Sequence, residues 1–216
     1  MSSTLFGALA LAAVTVGSLH SLAPDHWIPF AALARAQRWG AARTARLTIA
    51  CGFGHVTVSA LLGLGGLLFG LRMMETLGRR METVAGVLLV GFGVAYAVWG
   101  LRRAAGRRLH GHSHAHYDHV HDAPKKTAWS LFLLFSADPC VAVIPLLFAA
   151  APLGPARTAA IVLLYEIATI GTMVALVLPA RAGAASFRAP WLDRYGDAAA
   201  GGVIAAAGVV VAALGI

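Results

Sequence analysis

Charged residues are scarce in this chain of 216 residues. Asp, Glu, Lys and Arg make up 12% of it, whereas soluble domains carry about a quarter. Hydrophobic residues make up 59%, and the mean hydropathy is +0.75. Apolar runs recur at about 20 residues, the length that a helix needs to cross a bilayer. The composition excludes a sizeable soluble domain and predicts one compact bundle of membrane-spanning helices.

Cysteine is also scarce, with only Cys51 and Cys140, both in apolar segments. Such a pair does not indicate a disulfide framework. The net charge of +8 does not indicate a nucleic-acid partner, because the arginines flank the apolar segments and are typical of topology signals. The N-terminal apolar run has no basic stretch before it, so we expect a retained span and not a cleaved signal peptide.

The apolar runs predict six spans, at about 4–22, 47–70, 83–101, 128–151, 155–180 and 195–216, and the first span continues through a break at Pro24 into 27–30 and beyond. A short polar loop is expected at 71–82, before the third span. Thirteen of the 17 Lys and Arg residues lie in the first, third and fifth loops, which the positive-inside rule makes cytoplasmic. We therefore expect an integral protein of a bacterial inner membrane, surrounded by lipid, with both termini outside.

An internal repeat divides the six predicted spans into two halves. The segment Gly-Ala-Ala-Arg-Thr-Ala at 40–45 recurs as Gly-Pro-Ala-Arg-Thr-Ala at 154–159, and Asp25 corresponds to Asp138. Three spans per half place the second copy in the opposite orientation. The predicted fold is an all-α membrane protein, a 3+3 inverted repeat with Pro-broken helices one and four. Residues 1–101 and 127–216 form the halves, and 102–126 form a cytoplasmic loop.

A group of polar residues interrupts the first predicted span, where His20, Asp25 and His26 surround Pro24. Ionisable groups within a membrane usually face the bundle interior and mark ion paths. His55 lies near the middle of the second span. Neutral imidazole suits Ni²⁺, Co²⁺, Cu²⁺ and Zn²⁺, and a carboxylate adds negative charge. These four residues are the predicted metal site, although a single histidine would more often be a buried polar contact between helices.

Three residues of the second half are candidates for the same path: Asp138, Cys140 and Glu166. Asp138 and Cys140 lie at the matching interruption, where a kinked helix with a small buried cysteine is an equally good interpretation. Glu166 lies within the fifth span, where it would relay protons or pair with an arginine.

The predicted cytoplasmic loop is rich in histidine: His110, His112, His114, His116, His119 and His121. Histidine-rich tracts bind metal ions, loosely where the chain is flexible. We expect this loop to collect metal and to exchange it with a cytoplasmic donor or acceptor.

The His-x4-Asp-His pattern at 20–26 resembles the motif of the nickel/cobalt transporter family, and Phe-Gly-His-Val-Thr-Val at 53–58 resembles that family's second conserved stretch. The six-span layout is similar to the shorter nickel/cobalt exporters and the urease-accessory-type membrane proteins of the same superfamily. The resemblance implies that His20, Asp25, His26 and His55 bind Ni²⁺ or Co²⁺ in transit. The ion would be a substrate and not a permanent cofactor, and the protein a transporter and not an enzyme.

Two alternatives remain open. Pro139 and Cys140, followed by Pro145, resemble the membrane thiol-disulfide electron carriers related to cytochrome c biogenesis, which have one reactive cysteine in each half. That chemistry needs a second thiol at the matched position, which is His26 here. The other alternative is an accessory protein for metallocentre assembly that transports nothing itself. The leading prediction is transport by alternating access, in either direction and with no oligomeric state assigned.

Overall fold

The computed structural model describes residues 2–106, 123–186 and 190–214, and every regular element in those ranges is helical. The helices are α1 (Ser2–His20), α2 (Pro24–Ala36), α3 (Ala41–Phe69), α4 (Leu71–Gly106), α5 (Ala123–Ser136), α6 (Val143–Ala150), α7 (Pro155–Ser186) and α8 (Pro190–Leu214). A single 3-10 turn at Ala151–Leu153 joins α6 to α7. Five helices, α1, α3, α4, α7 and α8, are long and apolar enough to cross a membrane. The chain is therefore an all-helical integral membrane protein.

The fourth predicted span, 128–151, is broken at its proline as expected. It is divided between α5 and α6, and neither is long enough to cross a bilayer alone. Pro139 lies between them and has no N–H group with which to continue a helix. The structure departs from the prediction at 71–82, where a loop is expected and α4 instead begins at Leu71. Its first turns are rich in Leu, Met, Arg and Glu, which are strong helix formers despite their polarity.

The first apolar segment is interrupted between α1 and α2. Pro24 is the first residue of α2, the position where its missing N–H group costs nothing. Ser21 stabilises the turn before it. Its buried hydroxyl donates to the Gly17 carbonyl oxygen at 2.7 Å and lies 3.2 Å from the Thr169 carbonyl oxygen. The interruption is thereby held against the middle of α7.

Helices α4 and α8 form the most closely packed pair, and they run antiparallel. Glycines at seven-residue intervals on α4 face alanines at the same interval on α8: Gly86, Gly93 and Gly100 against Ala212, Ala205 and Ala198. A Cβ atom at Gly93, or at Gly201 on the other side, would meet backbone atoms of the opposite helix. Small residues at such an interface let two helix backbones approach closely.

The core has two hydrophobic clusters. One includes Phe30, Cys51 and Phe135, and the other includes Val56, Cys140, Tyr165 and their neighbours. Helix α3 contributes to both, with Cys51 in the first and Val56 in the second. His55 lies on α3 between these positions, so it projects where the two clusters meet.

Candidate metal centre

The structure brings the three histidines of the predicted site together. His20 is the last residue of α1, His26 lies in the first turn of α2, and His55 lies midway along α3. The imidazole centroids of His20 and His26 are 4.3 Å apart, those of His26 and His55 are 5.1 Å apart, and those of His20 and His55 are 5.8 Å apart. Three rings from three helices therefore surround one point.

The interruption at 21–23 makes this arrangement possible. On one continuous helix, His20 and His26 would point about 240° apart around the axis, and their rings would not meet. The turn changes the direction of the chain, and α2 begins at Pro24. The angular positions of side chains around α2 are therefore independent of those around α1. The last side chain of α1 and an early side chain of α2 then face each other.

Asp25 lies behind His26. Its Oδ1 atom accepts a hydrogen bond from His26 Nδ1 at 2.9 Å, and both residues are buried. A carboxylate on one ring nitrogen fixes the tautomer and leaves a lone pair on the other, as in the carboxylate–histidine–metal arrangement. The predicted role of Asp25 was to coordinate a metal or to neutralise its charge. In the structure it orients His26 and supplies negative charge beside the rings.

His55 is held in the same way by a backbone group. Its Nδ1 atom lies 3.4 Å from the Phe135 carbonyl oxygen, to which it donates, and the residue is 1% exposed. This contact leaves the lone pair of His55 on Nε2. Phe135 also packs edge-on against His26, with a centroid distance of 5.5 Å. The end of α5 thus contacts two of the three histidines.

The Nε2 atoms of His20, His26 and His55 are buried and, within the described residues, have no hydrogen-bond partner. A buried polar atom without a partner costs about 1–3 kcal/mol, so a folded protein rarely leaves three of them on adjoining rings. Each of these atoms is a metal ligand when it carries its lone pair. The cluster has the donor chemistry of a site for a transition-metal ion.

Cys140 of the second half also reaches this cluster. One ligand atom each from His20, His55 and Cys140 lie within 4.8 Å of one another. The Cys140 backbone N–H donates to Ser59 Oγ at 2.6 Å, and Ser59 donates to the His55 carbonyl oxygen at 2.7 Å. The Cys140 sulfur contacts the hydroxyl of Tyr165. From the sequence, Cys140 is equally well interpreted as a residue that lines the ion path or as a buried core residue. The structure places it beside two of the predicted ligands, His20 and His55.

Asp138 lies next to the histidine cluster, whereas Glu166 is not part of it. Asp138 and Asp25 line one cavity of about 20 Å³, which is large enough for about one water molecule. Glu166 is half-buried on α7, and its Oε1 atom is buried without a hydrogen-bond partner in the described residues. It is not part of the group formed by His20, His55 and Cys140. The six loop histidines predicted to collect metal lie outside the described residues.

Two residues at the site were missed by the sequence analysis, Ser59 and Tyr165. Ser59 lies one helical turn after His55, a spacing that places both on one face of α3. Tyr165 is fully buried on α7. A tyrosine in an apolar run is a weak signal, because the sequence does not show which group its hydroxyl meets.

Fold and site together define a helical membrane protein with a buried cluster of metal-binding side chains at an interruption of its first helix. Comparison of the chain with family models, with curated proteins and with solved structures finds no match. Function is therefore inferred from the metal-ligand atoms of the histidine cluster, their burial and their contacts.

Proposed function

We propose that this protein transports divalent transition-metal ions, nickel or cobalt, across a membrane, with His20, His26 and His55 as the binding site. The observation that carries the proposal is the set of three buried Nε2 atoms without hydrogen-bond partners in the described residues. Imidazole nitrogen binds borderline ions such as Ni²⁺ and Co²⁺, whereas Mg²⁺ and Ca²⁺ prefer oxygen. The ion is the substrate.

The charge at the site supports a divalent cation. A charge inside a membrane protein needs a counter-charge or polar ligands. The Asp25 carboxylate bonds to His26, with 2.9 Å between Asp25 Oδ1 and His26 Nδ1. Asp138 lines the same cavity as Asp25. The site therefore offers neutral nitrogen donors at its centre and negative charge directly behind them.

The helix contacts support an inverted repeat as the transport framework. Helix α1 packs on α7 as α5 packs on α3, and α2 packs on α7 as α6 packs on α3. If each interrupted pair, α1–α2 and α5–α6, counts as one span, residues 1–101 and 127–216 hold three spans each. Transporters with such repeats bind their substrates at discontinuous helices and expose them alternately to the two sides. We propose alternating access for this protein.

The basic residues support an orientation with the ends of α2, α4 and α7 on the cytoplasmic side. Arg181 near the end of α7 donates to the Trp39 carbonyl oxygen at 2.7 Å, and Arg103 near the end of α4 pairs with Asp197 at 3.3 Å. These contacts place the ends of α2, α4 and α7 on one side of the bundle. By the positive-inside rule that side is cytoplasmic, and both termini are then outside. The proposal also accounts for the resemblance of 20–26 to the nickel/cobalt transporter motif.

The thiol-disulfide alternative is less well supported. Thiol-disulfide exchange requires direct attack of one sulfur on another. Cys51 and Cys140 form no disulfide in the described residues, and they lie in different hydrophobic clusters.

The proposal is tested by metal accumulation in cells that express the wild type, His26→Ala or Thr48→Ala. Nickel, cobalt, zinc, copper and iron are measured together by elemental mass spectrometry. Thr48 is the matched control, because it is a buried polar residue whose hydroxyl donates to the Thr44 carbonyl oxygen of its own helix at 3.0 Å and to no other group among the described residues.

The wild type and Thr48→Ala are expected to change the cellular content of nickel or cobalt to the same extent, and His26→Ala is expected to abolish the change. The sign of the change gives the direction of transport. Unchanged metal content in cells with the wild-type protein in the membrane would refute transport and favour the accessory alternative.

A further inference from the structure

Cys140 is the only thiol that reaches the histidine cluster in the described part of the chain. It lies between α5 and α6, 0% exposed, with a ligand atom within 4.8 Å of those of His20 and His55. A buried cysteine is usually a small hydrophobic residue, so its position alone does not define a site.

A second, independent observation points to a ligand beside it. The Nε2 atom of His55 is buried and has no partner within the described residues, and the residue is 1% exposed. Its Nδ1 atom is already directed at the Phe135 carbonyl oxygen. The nitrogen that remains for a ligand is therefore Nε2, and it belongs to a ring that has a ligand atom within 4.8 Å of the Cys140 sulfur.

We propose that Cys140 forms a second coordination position with His20 and His55, so that the transported ion passes between an all-imidazole set and a mixed imidazole–thiolate set. His20 and His55 belong to both sets, His26 completes the first and Cys140 the second. This inference rests on the proposed function, because it assigns two neighbouring positions to an ion that moves.

The distances permit coordination with small side-chain movements. Given metal–nitrogen bonds of about 2.0 Å and metal–sulfur bonds of about 2.3 Å, two ligand atoms on one tetrahedral ion lie roughly 3.3–3.6 Å apart. The ligand atoms of the three residues lie within 4.8 Å of one another. Rotation of the imidazoles and the thiol about their side-chain bonds would shorten the distances between ligand atoms to the values that one bound ion requires.

The surroundings of Cys140 hold it towards the histidines. Its backbone N–H is bound by Ser59, and Ser59 is bound to the His55 carbonyl oxygen. The two ligand-bearing residues are therefore joined through one hydroxyl, although they come from different halves of the chain. Tyr165 contacts the sulfur from α7 and is available to donate a hydrogen bond to a thiolate.

The second position defines the class of ion. Cysteine binds metal as the thiolate, so its proton leaves to solvent when the ion binds. Thiolate and Asp25 carboxylate together balance the two charges of a divalent cation. A mixed imidazole–thiolate set favours Co²⁺, Ni²⁺ and Zn²⁺ and disfavours Mn²⁺ and Mg²⁺, which prefer oxygen ligands.

The test uses absorption spectra of the full-length protein in detergent, titrated with Co²⁺ alone. Cobalt in a four-coordinate site absorbs in the visible range, and cobalt bound to thiolate adds a sulfur-to-metal charge-transfer band in the near ultraviolet. The chain has two cysteines, and the histidine-rich segment contains neither. The charge-transfer band therefore reports only Cys51 or Cys140.

Cys51→Ser is the matched control, since Cys51 is also fully buried and lies on α3 one turn before His55. The wild type and Cys51→Ser are expected to show both absorptions. Cys140→Ser is expected to lose the charge-transfer band and to keep visible absorption from the imidazole set. If Cys140→Ser does not fold, the charge-transfer band in Cys51→Ser still tests the proposal, because Cys140 is the only thiol in that variant.

Visible absorption without a charge-transfer band in the wild type would overturn the Cys140 position and leave the imidazole site intact. A band that Cys51→Ser removes would overturn it too. Absence of any bound cobalt in the wild type would overturn both this inference and the metal site. If the protein shows both absorptions but moves no metal in cells, transport would be refuted, whereas Cys140 would be confirmed as a metal ligand.

Discussion

The two helix interruptions share a backbone design and differ in chemistry. The first, at 21–23, is followed by Pro24 and places the rings of His20 and His26 edge to face. The second, at 137–142, contains Pro139 and places Cys140 beside His20 and His55. In each case the chain stops being helical where it meets the long helix of the other half, α7 or α3. The two interruptions therefore bring different side chains to one cluster, imidazoles at the first and a thiol at the second.

The largest difference between the two interruptions is expected for their aspartates. Asp25→Asn keeps the shape of the side chain and removes the negative charge from His26, so we expect a loss of metal affinity of about 10–100-fold, as for other partners of metal-binding histidines. Asp138→Asn is expected to cause a smaller loss, because Asp138 shares the cavity beside Asp25 and Asp25 is the residue that bonds to His26. Isothermal titration of each purified variant with Ni²⁺ measures both. Equal losses would mean that the two interruptions contribute the same electrostatic role.

A change remote from both interruptions is expected to affect stability and not metal selectivity. Gly201→Ala places a Cβ atom against the backbone of α4 at Gly93 and Ala97. Overpacking of this kind costs about 1–3 kcal/mol. Gly202→Ala is the matched control, since a Cβ there has no neighbour within 4 Å. Thermal unfolding in detergent is expected to show a lower midpoint for Gly201→Ala alone. An altered preference between Ni²⁺ and Zn²⁺ in Gly201→Ala would show that α4 and α8 do more than flank the site.

The smallest expected difference concerns the serines that hold the interruptions. Ser59→Ala leaves the buried Cys140 N–H without its partner, which costs about 1–3 kcal/mol. Ser21→Ala removes a hydroxyl donor that serves two carbonyl oxygens, but it leaves no N–H group without an acceptor. The free energy of unfolding is therefore expected to fall by about 1 kcal/mol or less. Chemical denaturation measures the free energy of unfolding for each. A greater loss for Ser21→Ala would contradict this assignment of donors and acceptors.

The sequence predicts both interruptions, but it predicts the role of the adjacent side chains better at the first than at the second. Pro24, His20 and His26 lie within seven residues, so a local rule about proline and helix phase was enough to bring the two histidines together. Cys140 lies 85 residues after His55 in the chain, and its position depends on how α5 and α6 pack on α3. Nothing in the local pattern around Cys140 reports that packing.

The predicted helices contain one error, at 71–82. Hydropathy treats this segment as a loop because it is charged. The intrinsic helix preference of its residues, continuous with the apolar helix after it, outweighs that polarity.

The most direct test of the central claim is metal flux into proteoliposomes that contain only this protein. A metal-sensitive dye inside the vesicles reports entry of Ni²⁺ or Co²⁺ for the wild type, His55→Ala and the control Thr48→Ala, at equal protein density. The account predicts flux for the wild type and Thr48→Ala, and none above empty vesicles for His55→Ala. Equal flux through His55→Ala and the wild type would show that the ion does not pass the histidine cluster and would contradict the account.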